Sequence, residues 1–219
     1  LLFEFNFLGG VNGRRYMSNA ISAHLVKELR QKTGAGIMEC KKALEASGGS
    51  IEEAEKWLRQ QGMAKARKKS ERQTPEGVIA SYIHAGDKIG VLVEVNCETD
   101  FVARTPAFKE FVKEIAIQIA AANPKFISKN DVPKAILDSE KNKIISTLKL
   151  ENDENLDRIV QEKLEKFFID NCLLEQPFVK DPSITINDLL CQRIAQIGEN
   201  IVIRRFVRFQ VGEELEELS

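Results

Sequence analysis

The stretch Ile89-Gly90-Val91-Leu92-Val93-Glu94-Val95-Asn96-Cys97 alternates without a break. Ile89, Val91, Val93, Val95 and Cys97 fall on one side, and Gly90, Leu92, Glu94 and Asn96 on the other. A period of two is the pattern of a half-buried strand. Upstream, residues 78–83 read as a second strand, and the short Ala85-Gly86-Asp87 turn predicts an antiparallel hairpin. Residues 201–209 read as a third, with Ile201, Ile203, Arg205, Val207 and Phe209 alternating against Val202, Arg204, Phe206 and Arg208, so that both faces are partly apolar.

Helical patterns fill the space between these strands. Thr105-Pro106 supplies a cap followed by Pro at the first helical position. Behind it, Phe108, Phe111, Val112, Ile115 and Ile119 make an apolar stripe that ends before Asn123-Pro124. Residues 132–168 are helical and polar-rich, with a break near Asn152-Asp153, which fits two antiparallel helices projecting from the sheet. A last helix follows Asn187, carries Leu189, Leu190, Ile194 and Ile197, and ends at Gly198. Strands and helices without regular alternation indicate an α+β core, here 78–212, with a three-stranded antiparallel sheet packed by helices.

Ahead of the core, residues 22–62 predict three short helices. Ser22 caps the first, which places Leu25, Val26 and Leu29 on one face and stops at Gly34 and Gly36. The second carries Ile37, Cys40 and Leu44 and stops at Gly48-Gly49. Ser50-Ile51-Glu52-Glu53 has the form of a capping box for the third, whose stripe is Ile51, Ala54, Trp57 and Leu58. So small a unit buries little area, which suits a binding module. Residues 63–77, with Lys65, Arg67, Lys68, Lys69 and Arg72, read as a basic linker, helical at its start. Residues 1–21 read as a disordered leader and 213–219 as an acidic tail.

Composition narrows the function. In 219 residues, 32 Lys and Arg balance 33 Asp and Glu for a net charge of -1, so no global positive field gathers polyanions. At 43% hydrophobic the chain has enough apolar surface to fold. The four cysteines, Cys40, Cys97, Cys172 and Cys191, contain no CxxC pair, and the reading is of free or buried thiols in a reducing compartment. With His24 and His84 as the two histidines, no metal-ligand spacing is present, and no cofactor motif is found. No apolar run is long enough to span a membrane.

Chemistry has few places to reside. The segment Asn96-Cys97-Glu98-Thr99-Asp100-Phe101-Val102 is a short loop between a strong strand and a Pro-initiated helix. An aromatic on such a loop either inserts into a partner as a wedge or folds back to cap the local core, and pattern alone leaves both open. Cys97, His84 and Asp100 could form a nucleophile, base and orienter, but Cys97 lies on the apolar phase of its strand. The 65–72 run could contact RNA, yet it lacks the aromatics that stack bases.

Several of these segments resemble the elongation factor Ts family. The resemblance rests on Leu25-Val26-Lys27-Glu28-Leu29-Arg30 with Thr33-Gly34-Ala35-Gly36-Ile37-Met38-Glu39-Cys40-Lys41-Lys42-Ala43-Leu44, and on Val95-Asn96-Cys97-Glu98-Thr99-Asp100-Phe101-Val102-Ala103. Gln176-Pro177-Phe178-Val179 and Ile197-Gly198-Glu199-Asn200-Ile201 follow in the same order. The resemblance implies a guanine-nucleotide exchange factor for elongation factor Tu, not an enzyme, with no cofactor. It implies a ubiquitin-associated-like N-terminal module whose Arg30, Ile37 and Met38 pack on the partner's G domain. It makes Thr99, Asp100, Phe101 and Val102 the wedge that disturbs the partner's Mg²⁺ and phosphate region.

Longer family members carry a second copy of the core, and this chain shows one. The resemblance therefore implies a homodimer with residues 204–209 on its edge, noncovalent because that strand holds no cysteine. The expected compartment is a bacterial cytoplasm, or a plastid or mitochondrial interior for an organelle-encoded chain, with no membrane or direct nucleic-acid partner. The alternative function is a non-catalytic adaptor that uses the three-helix module.

Overall fold

The computed structural model describes residues 21–148 and 156–214. The expected leader, apart from Ile21, lies outside the described residues, as do the helical break at Asn152-Asp153 and the acidic tail beyond Glu214. The chain divides into two compact units after Trp57.

In the first unit, α1 spans Ala23–Thr33 and α2 spans Ile37–Ala46. The amide of Leu25 donates to Ser22 Oγ at 3.2 Å, so the first helix starts where its cap predicts. Gly34 ends it at φ 65°, a left-handed conformation that glycine adopts without strain. Leu29, Cys40, Ala43, Leu44 and Ala54 are buried and make the small core. The third helix, α3, spans Ile51–Lys69 and begins in this unit, with the Glu53 amide donating to Ser50 Oγ at 3.4 Å.

The helical start expected of the linker is a continuation of this helix. Residues 63–69, read as part of a linker, are its last two turns, and the irregular connection is 70–75. Met63, Ala64, Lys65, Ala66 and Arg67 are good helix formers, and Ala66 is buried in the main core. Arg67, Lys68 and Lys69 stand in the last turn, where cations favour the negative end of the helix dipole.

The second unit is built on a three-stranded antiparallel sheet. Its strands are β1 (Glu76–Ile83), β2 (Ile89–Cys97) and β5 (Ile201–Gln210), in the order β1-β2-β5. Gly86 at φ 92° and Asp87 at φ 58° make the hairpin turn. Val91, Val93, Val95 and Cys97 are buried, as the alternation requires. Against them packs α5 (Pro106–Ala122), whose Phe108, Phe111, Val112, Ile115 and Ile119 are all buried. The Phe108 amide donates to Thr105 Oγ1 at 3.3 Å and Pro106 takes the first helical position.

One feature of β5 departs from uniform alternation. Glu94 pairs with Arg205 and Val95 with Ile203, so Arg204 is the extra residue of a bulge. Ile201 and Ile203 face the core, but past Arg204 the order inverts. Phe206 turns inward and Val207 and Phe209 turn out. Arg208, opposite Val91, reaches inward to donate to the Ala120 carbonyl at 3.3 Å.

The other helices are α4 (Asp100–Arg104), α6 (Lys134–Leu148), α7 (Leu156–Asn171) and α8 (Ile186–Ile197). The helix α6 contacts α7, and their buried Ile144 and Leu164 are separate from the main core cluster. The start of α8 is set by Thr185, whose Oγ1 accepts from the Asp188 amide at 3.1 Å while Asp188 accepts from the Thr185 amide. A two-stranded ribbon, β3 (Pro177–Phe178) and β4 (Asp181–Thr185), was not legible in the sequence. It is pinned by buried Gln118, which donates to Gln176 Oε1 and the Pro177 carbonyl at 3.2 Å and accepts from the Val179 amide at 2.9 Å.

Phe111→Ala removes a fully buried ring from the helix–sheet contact. Urea unfolding is expected to show a loss of about 3–5 kcal/mol.

Candidate functional site

The end of β2 leads directly into the loop singled out above. Thr99 is extended (φ -131°, ψ 152°), and its Oγ1 accepts from the Val102 amide at 3.4 Å, capping α4. Val102 and Ala103 are buried in the main core, which fixes one side of this short helix. Successive helical residues turn by about 100°, so Phe101 is carried away from the core. It is 77% exposed. Asp100 pairs with Arg104 at 2.9 Å, both solvent-exposed. The ring therefore does not fold back to cap the core.

The backbone beneath Phe101 is tied on both sides. The Thr99 amide donates to Glu199 Oε2 at 3.0 Å, and the Thr99 hydroxyl donates to Glu199 Oε1 at 2.7 Å. In the opposite sense, Glu98 Oε1 accepts from the Asn200 amide at 2.6 Å and from Arg72 at 3.4 Å. The Asn200 side chain donates to the Arg72 carbonyl at 2.9 Å. Glu199 and Asn200 follow Gly198, the left-handed end of α8 (φ 88°), whose carbonyl accepts from Lys69 Nζ. In the sequence Glu199 and Asn200 stand out only as part of Ile197-Gly198-Glu199-Asn200-Ile201. No spacing signal links residues a hundred positions apart.

The thiol reading fails on geometry. Cys97 is buried, its Sγ donates to the Thr99 carbonyl at 3.2 Å, and burial, then the nearby Glu199 charge, pushes its pKa up to about 11. His84 lies at the other end of the hairpin, about 26 Å of strand away, with its Nδ1 3.0 Å from the Tyr82 hydroxyl. Asp100 belongs to its Arg104 pair. Within the basic run, Lys69 and Arg72 are engaged with Gly198 and Glu98, while Arg67 and Lys68 are exposed.

In the first unit, Arg30 is exposed at the end of α1, and Ile37 and Met38 at the start of α2 are 56% and 63% exposed. Two apolar side chains thus stand side by side in solvent at the start of α2. Among the described residues no helix is long and apolar enough to cross a membrane, and no group of three His, Cys, Asp or Glu could hold a metal ion.

Comparison with known proteins places these features in a family. A family model described as Elongation factor TS matches residues 23–213. The chain belongs to the elongation factor Ts family. It is 77% identical to elongation factor Ts of Methylacidiphilum infernorum (isolate V4), over 91% of this chain and all of that protein. It is 56% identical to elongation factor Ts of Thermoanaerobacter sp. (strain X514), over 91% of this chain and 98% of that one. Elongation factor Ts of Thermodesulfovibrio yellowstonii is 54% identical, over 90% of this chain and its own full length. The membership places the chain in translation elongation, and both quoted signatures fall within the matched span.

With a pKa near 11, the Cys97 thiol stays protonated until the pH approaches that value, and at pH 8 about one in a thousand is ionised. Alkylation at pH 8, followed by mass spectrometry, is expected to modify Cys97 at least about a hundredfold more slowly in the native chain than in urea. Rapid native labelling would revive thiol chemistry.

Proposed function

We propose that the chain is a guanine-nucleotide exchange factor for elongation factor Tu, acting without any covalent step. The observation that carries this reading is Phe101, a large apolar ring held in solvent on a loop tied down on both sides. A ring kept out of water contact would gain about 1.5–3 kcal/mol, so leaving it exposed makes sense where a partner buries it. In this reading Thr99, Asp100, Phe101 and Val102 form the wedge that enters the Mg²⁺ and phosphate region of Tu·GDP. Arg30, Ile37 and Met38 dock the first unit, a ubiquitin-associated-like module of 22–62, on the partner's G domain.

The energetics are those of differential binding. An exchange factor must favour nucleotide-free Tu over nucleotide-bound Tu, because only the difference drives release. A thousandfold acceleration requires about 4 kcal/mol. Burial of one Phe supplies about half of that, and weakened Mg²⁺ coordination in the partner supplies the remainder. By reciprocity, nucleotide entering Tu expels the exchange factor. Charge balance argues against direct nucleic-acid binding, and the bacterial relatives support a cytoplasmic site of action.

The same reading includes a noncovalent homodimer. On the face of the sheet away from α5, Ile79, Ile83, Leu92, Val207 and Phe209 are exposed, with Leu92 opposite Val207 in the ladder. The one charge pair on that face, Arg205 to Glu94 at 2.6 Å, is internally neutralised. A face so rich in apolar side chains suits burial against its own copy across a two-fold axis.

Phe101→Ala is expected to slow release of fluorescent GDP from Tu by about 10–150-fold, the rate equivalent of burying one Phe, with an unchanged thermal midpoint. Unchanged release would instead favour an adaptor that works through Ile37 and Met38 alone. Leu92→Glu is expected to halve the mass measured by sedimentation without unfolding the chain. A wild-type chain already monomeric at micromolar concentration would remove the dimer.

A further inference from the structure

We infer that Glu199 is a positioning residue for nucleotide exchange, setting the direction of Phe101 from outside the wedge; this rests on the exchange reading above. Its carboxylate is half-buried and takes both protons that Thr99 offers, the amide at Oε2 (3.0 Å) and the hydroxyl at Oε1 (2.7 Å). Committing the hydroxyl proton to Glu199 leaves the Thr99 oxygen free to accept from the Val102 amide. The fork therefore orients the group that caps α4, and the cap orients the first turn, where Phe101 sits.

The need for such a brace follows from size. A helix of five residues is far below the length that is stable alone. Buried Val102 and Ala103 fix its depth, but two small side chains leave rotation about that anchor weakly resisted. Glu199 supplies the lateral constraint, and charge-assisted hydrogen bonds are the strong kind. Glu98 works in the reverse direction, accepting from the Asn200 amide at 2.6 Å. The loop after β2 and the turn between α8 and β5 are thus laced by two carboxylates, each reaching into the other's backbone. Asn200 adds a tie to the connection that follows α3 through the Arg72 carbonyl. Each Glu199 oxygen accepts one bond from Thr99, which places the residue to act through Thr99.

The test uses the full chain and Tu loaded with fluorescent GDP, with release measured against chain concentration. Glu199→Ala is expected to lower the saturating release rate about tenfold while shifting the half-saturating concentration by less than about threefold, because the docking contacts of the first unit persist. Glu199→Gln, which keeps one acceptor, should recover most of the rate. Hydrogen exchange should quicken at the Thr99 and Val102 amides and stay unchanged along residues 91–95. Thr99→Val combined with Glu199→Ala should be no slower than the worse single variant, since both remove one linkage. An unchanged saturating rate in Glu199→Ala, additive effects in the double variant, or loss of protection throughout the sheet would each overturn the inference. Phe101→Ala is measured in parallel: if it releases GDP at the wild-type rate, the exchange reading fails, whereas slow Phe101→Ala with normal Glu199→Ala removes only the brace.

Discussion

The contact between the apolar stripe of α5 and the inward valines of β2 governs everything else in the larger unit. Phe108, Phe111, Val112, Ile115 and Ile119 lie on Val91, Val93 and Val95, and all eight are buried. Because the side-chain period of a strand is two, this contact assigns every residue of the hairpin to one face or the other. It also fixes where β2 ends and where Pro106 begins, leaving a gap that α4 fills. The position of Phe101 is a consequence of that gap: Val102 and Ala103 are drawn into the same core, and the helical turn sends their neighbour outward.

A rigid support and an exposed apolar group serve opposite ends, and here they occupy adjacent residues. The buried pair Val102 and Ala103 contributes to folding, while Phe101 keeps its ring in solvent. The polar layer beneath, in which Glu98 and Glu199 each satisfy backbone amides, keeps the loop from collapsing so that the ring covers itself. The first unit has the same division on a smaller scale. Leu29, Cys40 and Leu44 close its core, whereas Ile37 and Met38 remain outside.

Much of this was legible because periodicity and capping are local. The α5 stripe, the β2 alternation, the Ser22 and Thr105 caps and the Gly34 and Gly198 stops all depend on neighbours within a few positions. What escaped depends on distance. Ala66, on the helical start of the linker, finds a buried place in the core of the larger unit, which no window of sequence reveals. The ribbon of β3 and β4 exists because Gln118, some sixty residues earlier, satisfies its backbone. Glu199 meets Thr99 across a hundred residues. The direction of Phe101 was open for the same reason: whether a loop aromatic points in or out is decided by partners that the loop itself does not contain.

The bulge at Arg204 carries a final implication. In a regular strand Ile201, Ile203, Arg205, Val207 and Phe209 would share one side. The single unpaired residue lets the first two serve the interior and the last two the opposite surface. One strand thereby contributes to two apolar layers, and the switch between them is made by residue number, not by residue type. Were the same residues paired in plain alternation with none left over, Phe206 would turn into water and Arg205 would lie beneath the helices, so the pairing at Arg204 matters more here than which aliphatic side chain stands on either side of it.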